Sequence, residues 1–371
     1  MTSTKSSLKD SIQIKSISDA TDARNVLVFV ITGNPGLIEY YRPFCTALLK
    51  HLTTSKFKKN QPFSEDTNIS IYGHSLAGFE LGDADDRALP LDLEQQIAFV
   101  EARLDDAAKP LRSNADGRRK NVEVVLIGHS VGAYILLEIL RRRRERATDS
   151  ETAEQTDRVK IVQGICLFPT VTHIARSKSG RKFTWLLTLP YFALLASFLA
   201  KAFTFWVPPG ALQYLVGIVT GFPPHATAAT AAFIQSKHGV RQALHMAKHE
   251  MQTITEDRWD AELWDTALAT STSAEKPKLF FYFGESDHWV ADETRDTLIA
   301  ARAATDVGTH IGRPVMEIDT KNIPHGFCIG KHDLSGSRNN QRRPRSDFET
   351  DHSEQIAEKV VEYIREVAEA D

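Results

Sequence analysis

The chain has 371 residues, 42% of them hydrophobic and 25% charged, the make-up of an ordinary folded protein with room for one large domain plus an insertion, or for two domains. A net charge of −3 argues against wholesale electrostatic attraction to nucleic acid, and none is expected as a partner. The three cysteines (Cys45, Cys166, Cys328) are odd in number, widely spaced and set in apolar or mixed stretches, so they read as reduced thiols of a cytosol-facing protein. Met1 to Asn25 is polar, carries Asp10, Asp19 and Asp22, and has no apolar core segment, so no secretory signal is expected.

Ser11 to Ile17 alternates weakly and predicts a first strand. Asn25 to Thr32 is continuously apolar and closes on Gly33-Asn34-Pro35-Gly36, the pattern of a strand buried on both faces of a parallel sheet. Tyr40 to Leu52 has helical spacing; Ile69 to Tyr72 reads as a short strand and Leu91 to Leu104 as a helix. Val122 to Ile127 is a strong strand, and Ser130 to Arg146 a helix with Ile135, Leu136, Ile139 and Leu140 on one apolar face. Val162 to Phe168, Leu279 to Phe283 and Val315 to Ile318 complete the strands, and Ser353 to Ala368 is a terminal helix. This alternation predicts an α/β fold, a mostly parallel sheet with helices on both faces. Ala108 to Lys120 and Lys331 to Asp347 are polar loops. The run Arg141–Arg144 reads as a solvated helix end, where the macrodipole favours cations.

Chemistry enters at Gly128-His129-Ser130-Val131-Gly132. A serine hydroxyl is a poor nucleophile until a base takes its proton and a tight turn lifts it clear of the backbone. Here a strong strand runs straight into Gly128 and a long amphipathic helix starts after Ser130, which is the strand–turn–helix elbow of the α/β-hydrolase fold. A rival, Gly73-His74-Ser75-Leu76-Ala77, has Ala77 in place of the second glycine. It leads into an acidic stretch with Glu80, Asp83, Asp85 and Asp86 instead of a helix, so Ser130 is preferred to Ser75 as nucleophile.

The remaining parts follow the order serine, acid, histidine. Asp287, in Gly284-Glu285-Ser286-Asp287-His288-Trp289, lies just past a strand end and is the preferred acid, with Glu285 and Asp292 as rivals. His325, in Ile323-Pro324-His325-Gly326-Phe327, follows the last strand and is the preferred base over His288 and His332. Two N–H donors must face the developing oxyanion. Val131 supplies one, and Asn34 the other, because Pro35 has no N–H to offer. The wide interval between Ser130 and Asp287 implies an insertion, dividing the chain into 1–170 (first part of the core), 171–275 (a hydrophobic cap or lipid-contacting insertion) and 276–371 (second part of the core).

Within that insertion Phe183 to Phe222 carries a single charge, Lys201. Pro190 and Pro208 break it into pieces shorter than the roughly 20 apolar residues of a spanning helix. Arg176, Lys178, Arg181 and Lys182 precede it, and Lys237 and Arg241 follow. Broken apolar helices between basic flanks fit a hairpin dipping into a monolayer from one side, with Trp185, Phe192, Phe205 and Trp206 as the lipid-contacting residues. A hydrophobic lid over the site is the alternative, and one segment can be both.

Taken together, Gly33-Asn34-Pro35-Gly36 with Tyr40-Tyr41 and Phe44, the elbow Leu126 to Tyr134, Phe283-Gly284 with Asp287 and Trp289, and His325 resemble the lipid droplet-associated hydrolases. The likeness runs from about Val26 to His325; Gly73-His74-Ser75 falls where that family has a histidine- and glycine-containing loop, and Lys331 to Asp347 looks like an added loop. The resemblance implies an ester hydrolase acting on neutral lipids, such as sterol esters or acylglycerols, at lipid droplets and endoplasmic reticulum, on their cytosolic face. No metal or organic cofactor is implied. An acyltransferase on the same scaffold, and a non-catalytic droplet-surface protein, are the alternatives.

Overall fold

The computed structural model describes residues 8–18, 20, 23–54, 63–64, 66–81, 89–112, 121–148, 159–259, 261–264, 276–303, 313–330 and 352–368. The apolar runs of the sequence become β2 (Arg24–Ile31), β4 (Val122–His129), β5 (Val159–Leu167) and β6 (Lys278–Phe283), whose side chains are mostly buried, those of β5 from Gln163 onward. With β1 (Ser11–Ser16), β3 (Thr67–His74) and β7 (Val315–Ile318) they form one sheet in the order β1-β3-β2-β4-β5-β6-β7. Only β1 is antiparallel, pairing Ile12 with Gly73 of β3; every other pairing is parallel, as Val28 of β2 with Val125 of β4. The chain leaves β2 toward one edge and comes back to its other side at β4. The crevice beyond the carboxyl ends of these two strands is therefore a switch point, where open α/β sheets bind their ligands.

Helices α1 (Arg42–Thr53), α2 (Leu93–Ala108) and α3 (Val131–Thr148) join the early strands. α2 starts on a capping box: Asp92 accepts from the Gln95 N–H at 2.8 Å, and Gln95 accepts from the Asp92 N–H at 2.9 Å. The arginine run of α3 is not the free helix end its position suggests. Arg143 reaches Glu101 at 3.2 Å and Asp105 at 2.7 Å, and Arg142 reaches Glu94 at 2.5 Å, so these two fasten α3 to α2, while Arg141 pairs with Glu138 and Glu145 of its own helix.

Between β5 and β6 the described elements are helical: α4 (Lys178–Thr188), α5 (Phe192–Phe205), α6 (Pro209–Thr220), α7 (Pro224–Gln235), α8 (Gly239–Thr253) and the single turn α9 (Ala261–Trp264). Prolines do the breaking, because proline cannot donate to the preceding turn. Pro190 separates α4 from α5, which bend by 91°, and Pro208-Pro209 and Pro223-Pro224 begin the next two helices. Among the described residues no single helix is long and apolar enough to cross a membrane. α5 and α6 leave large apolar side chains in solvent, among them Phe198, Phe205, Trp206, Ile218 and Val219.

α7 and α8 seat this layer on the sheet. The Thr230 hydroxyl meets the Tyr40 hydroxyl at 2.8 Å, and His225 Nε2 donates to the Cys328 carbonyl at 3.2 Å. The buried Gln242 closes on the backbone of Leu91 in both directions, accepting its N–H at 2.7 Å and donating to its carbonyl at 2.7 Å. α4 is stitched to the loop after β6: the Ser179 N–H donates to the His288 carbonyl at 2.9 Å, and the Phe183 and Trp289 rings lie 5.5 Å apart. α10 (Asp292–Arg302) and α11 (His352–Ala368) complete the described helices; α11 lays Ile356, Val360 and Ile364 into the core.

Candidate active site

Ser130 stands between β4 and α3 at φ 56°, in the left-handed region that costs a non-glycine residue free energy. The surroundings hold it there. Its N–H donates to the Leu167 carbonyl at 3.0 Å, and its own carbonyl accepts from Ala133 at 3.0 Å and Thr170 at 3.3 Å. Both flanking glycines are sterically required: a Cβ on Gly128 would lie 2.4 Å from the Gly132 carbonyl oxygen, and one on Gly132 would lie 2.5 Å from that of Ile31.

His325, on the loop after β7, sets Nε2 3.0 Å from Ser130 Oγ and Nδ1 2.7 Å from Asp287 Oδ2. An ionised carboxylate only accepts, so Nδ1 carries the proton and Nε2 is left with a lone pair for the serine hydroxyl. The second oxygen of Asp287 accepts the Trp289 N–H at 2.7 Å. Burial alone would push this carboxyl up; the His325 ring and the hydrogen bonds from His325 and Trp289 outweigh it and hold Asp287 below its ordinary range, so it stays ionised. From α10, Arg295 donates to the carbonyls of Gly284 at 3.0 Å and Glu285 at 2.9 Å, fixing the loop that carries Asp287.

The rival residues are elsewhere. Glu285 points into solvent, Asp292 pairs with Arg295 at 3.4 Å, and His288 is exposed. Ser75 is buried, its Oγ accepting the Ile38 N–H at 3.2 Å and its own N–H donating to the Asp10 carbonyl at 2.8 Å, which makes it a structural link between β3 and its neighbours. His332, Asp83, Asp85, Asp86 and the Lys331 to Asp347 stretch lie outside the described residues.

The loop after β2 abuts the elbow so closely that a Cβ on Gly33 would sit 3.0 Å from that of Ser130. The Val131 N–H, first in α3, has no intrahelical acceptor, and no described group accepts from the Asn34 N–H. The Asn34 side chain is held from the other side by α8: Nδ2 donates to the Ala243 carbonyl at 3.1 Å and to Glu250 Oε1 at 2.8 Å.

Two further residues join these loops. His129, buried beside Ser130, has Nε2 2.8 Å from the His325 carbonyl and Nδ1 2.7 Å from the Tyr41 hydroxyl. A carbonyl only accepts, so Nε2 carries the proton, Nδ1 accepts from Tyr41, and the Tyr41 oxygen in turn accepts the Gly33 N–H at 2.9 Å. Burial, and then the nearby His325 ring, push His129 down to about 3, which keeps it neutral. Its place inside the elbow motif was the one available hint of this role. Of the four residues expected to meet lipid, Trp185, Phe205 and Trp206 are 69%, 80% and 82% exposed, whereas Phe192 is half-buried against the core. Among the described residues no group of three or more His, Cys, Asp or Glu could hold a metal ion.

A parallel sheet with one antiparallel edge, a strained serine between β4 and α3, an acid after β6 and a histidine after β7 define an α/β-hydrolase. The chain is similar over 97% of its length to 96% of a solved structure of DBJA (mutant dbja delta), with a TM-score of 0.50 at 13% identity, a likeness of fold alone. A family model described as lipid-droplet associated hydrolase matches residues 24–328, and the chain belongs to that family. Relatives named lipid droplet-associated hydrolase include one from Gallus gallus, 27% identical over 74% of this chain and 73% of its own, and one from Drosophila melanogaster, 24% identical over 84% and 86%.

Proposed function

We propose that the protein is a serine-dependent carboxylic ester hydrolase acting on neutral lipids, sterol esters or acylglycerols, at the surface of lipid droplets and of endoplasmic reticulum, from the cytosolic side. The observation that carries this reading is the hydrogen-bonded chain from Ser130 Oγ through His325 to the buried Asp287. In it Ser130 Oγ attacks the ester carbonyl and gives its proton to His325 Nε2. Asp287 holds the ring in the required tautomer and stabilises the imidazolium. The N–H groups of Val131 and Asn34 receive the oxyanion. As the carbon–oxygen bond breaks, the proton passes from His325 to the departing alcohol. Water then enters, its oxygen attacks the acyl carbon while His325 takes one of its protons, and as the carbon–Oγ bond breaks that proton returns to Ser130 Oγ and the acyl group leaves as a free acid.

The choice of an insoluble substrate rests on the family and on the exposed aromatic and aliphatic face of α4 to α6. A contiguous apolar surface of that kind marks a site of contact with lipid or protein. No cofactor takes part in this scheme.

The test is covalent. A fluorophosphonate probe should add one adduct to the wild type and to Ser75→Ala, and none to Ser130→Ala, read by intact mass. An adduct that survives Ser130→Ala and disappears in Ser75→Ala would overturn the nucleophile assignment.

A further inference from the structure

Glu250 is a carboxyl that the scheme above does not use. It lies on α8, is only 4% exposed, and has one described polar partner, Nδ2 of Asn34 at 2.8 Å. Among the described residues no cation pairs with it. The same carboxamide carries a second unusual atom: Asn34 Oδ1 is buried, and no described group donates to it. A carboxyl and a carboxamide in contact can satisfy each other completely when the carboxyl keeps its proton. The carboxyl's C=O then accepts from the amide N–H, and its O–H has the amide oxygen to donate to. An ionised Glu250 could not donate at all.

We infer that Glu250 is a positioning residue that ties helix α8 of the cap to the Asn34 loop, so that seating of the cap and readiness of the Asn34 N–H to receive an oxyanion are one equilibrium. The inference rests on the ester-hydrolase reading, from which the role of that N–H comes. The geometry gives the tie its force. Gly33 is held on one side by the Tyr41 hydroxyl at 2.9 Å, and Asn34 on the other by Ala243 and Glu250. Lifting α8 leaves this peptide pinned at one end only.

Burial pushes Glu250 up to about 8, opposed only by the Asn34 hydrogen bond. The charged or titratable groups on elements packed against α8 include Arg176, Arg181, Lys201, His225 and Glu94, and α8 itself carries Arg241, His245, Lys248 and His249. None of them figures among the influences on it. Near neutrality it is therefore an uncharged acid that matches the orphaned amide oxygen. When α8 lifts and the carboxyl meets water, its proton is released. Because the seated form binds the proton more tightly, seating is strongest at low pH and weakens as pH rises toward and through about 8.

The experiment compares Glu250→Gln and Glu250→Ala with wild type. Two quantities are followed from about pH 6 to 10, a range spanning the expected transition: the rate of fluorophosphonate labelling at Ser130, and kcat and KM for a short water-soluble ester. Glutamine has the acceptor and the donor of the protonated acid and never ionises. It should keep a rate close to wild type near neutrality and lose the alkaline decline. Alanine should lower labelling and kcat about ten-fold or more with little change in KM, because the oxyanion donor is misplaced while the reacting groups remain. An alkaline decline that persists unchanged in Glu250→Gln would overturn the proposal. So would a Glu250→Gln variant as impaired as alanine, since that would show the carboxylate to be the working form. Wild type that fails to label at Ser130 would remove the hydrolase reading and this inference together; labelling indifferent to residue 250 would remove the inference alone.

Discussion

His129 donates from Nε2 to the backbone carbonyl of His325 at 2.8 Å, so the residue beside the proposed nucleophile holds the loop on which the proposed base is mounted. The other ring nitrogen passes the connection through Tyr41 to Gly33. Three loops, after β2, β4 and β7, are thus pinned to one another by an uncharged relay in which every donor has an acceptor.

Breaking that relay should slow chemistry without weakening substrate capture. Tyr41→Phe leaves the Gly33 N–H and His129 Nδ1 unpaired in the interior, at a cost of about 1–3 kcal/mol of stability. It should also reduce kcat about ten- to a hundred-fold on a short ester with KM nearly unchanged, as displaced catalytic groups do. A melting temperature that falls while kcat holds would reduce the relay to scaffolding.

The buried imidazole of His129 also predicts how the fold responds to acid. Unfolded histidine takes up a proton near its ordinary value of 6.5, whereas the folded ring resists to about 3. The folded form therefore binds fewer protons, and stability is lost as pH falls below about 6.5. His129→Gln removes the titrating group while keeping an N–H for the His325 carbonyl. Urea unfolding midpoints across acid pH should slope less steeply in the variant; parallel slopes would refute the assignment.

Among the carboxylates near the base, Asp287 alone should matter. Asp287→Asn should lower kcat by about four orders of magnitude, the size of effect seen when a histidine loses the partner that fixes its tautomer. Glu285→Gln and Asp292→Asn should stay within a factor of a few of wild type. A larger loss in either than in Asp287→Asn would transfer the role.

The sheet and the order of its parts were legible because buried parallel strands announce themselves as unbroken apolar runs, and because turn residues close them. β3 was read short, since Thr67, Asn68, Gly73 and His74 are not apolar and extend the strand only through pairing with β2 and the edge strand β1. Sequence position could bring three acids near the end of β6 but could not say which side chain turns inward; Trp289 and His325 decide that by bonding Asp287. The tie between Asn34 and Glu250 spans 216 residues and has no local signature. Arg142 and Arg143 of α3 were misread for the same reason: their partners Glu94, Glu101 and Asp105 belong to another helix.

The exposed apolar face predicts separable behaviour of its residues. Replacing Trp185, Phe205 and Trp206 with glutamine should reduce flotation with phospholipid-coated triacylglycerol droplets while sparing hydrolysis of a short soluble ester. Each buried CH₂ is worth about 0.8 kcal/mol at a lipid surface, so three large aromatics suffice to change the partition. Phe192→Gln should instead lower the melting temperature, because that ring packs against the core. Unchanged flotation of the triple variant would place the lipid contact elsewhere.

The three cysteines should be silent toward maleimide in the native protein. All are buried, and burial pushes Cys45 up to about 12 and raises Cys166 as well, so the reagent has no access to these thiols. Labelling before the unfolding transition would contradict the packing of α1 and β5.

The stitch between α4 and the loop after β6 bears on how this helical layer could be replaced. Ser179 bonds the His288 carbonyl and Phe183 rests on Trp289, and these are the two residues that follow Asp287. A foreign cap grafted between the ends of β5 and β6 would arrive with its own first helix but meet a resident Trp289 shaped for another. The segment from Gly284 to Val290 therefore belongs structurally with α4, and replacing one without the other would cost Ser179 and Phe183 the partners they have here.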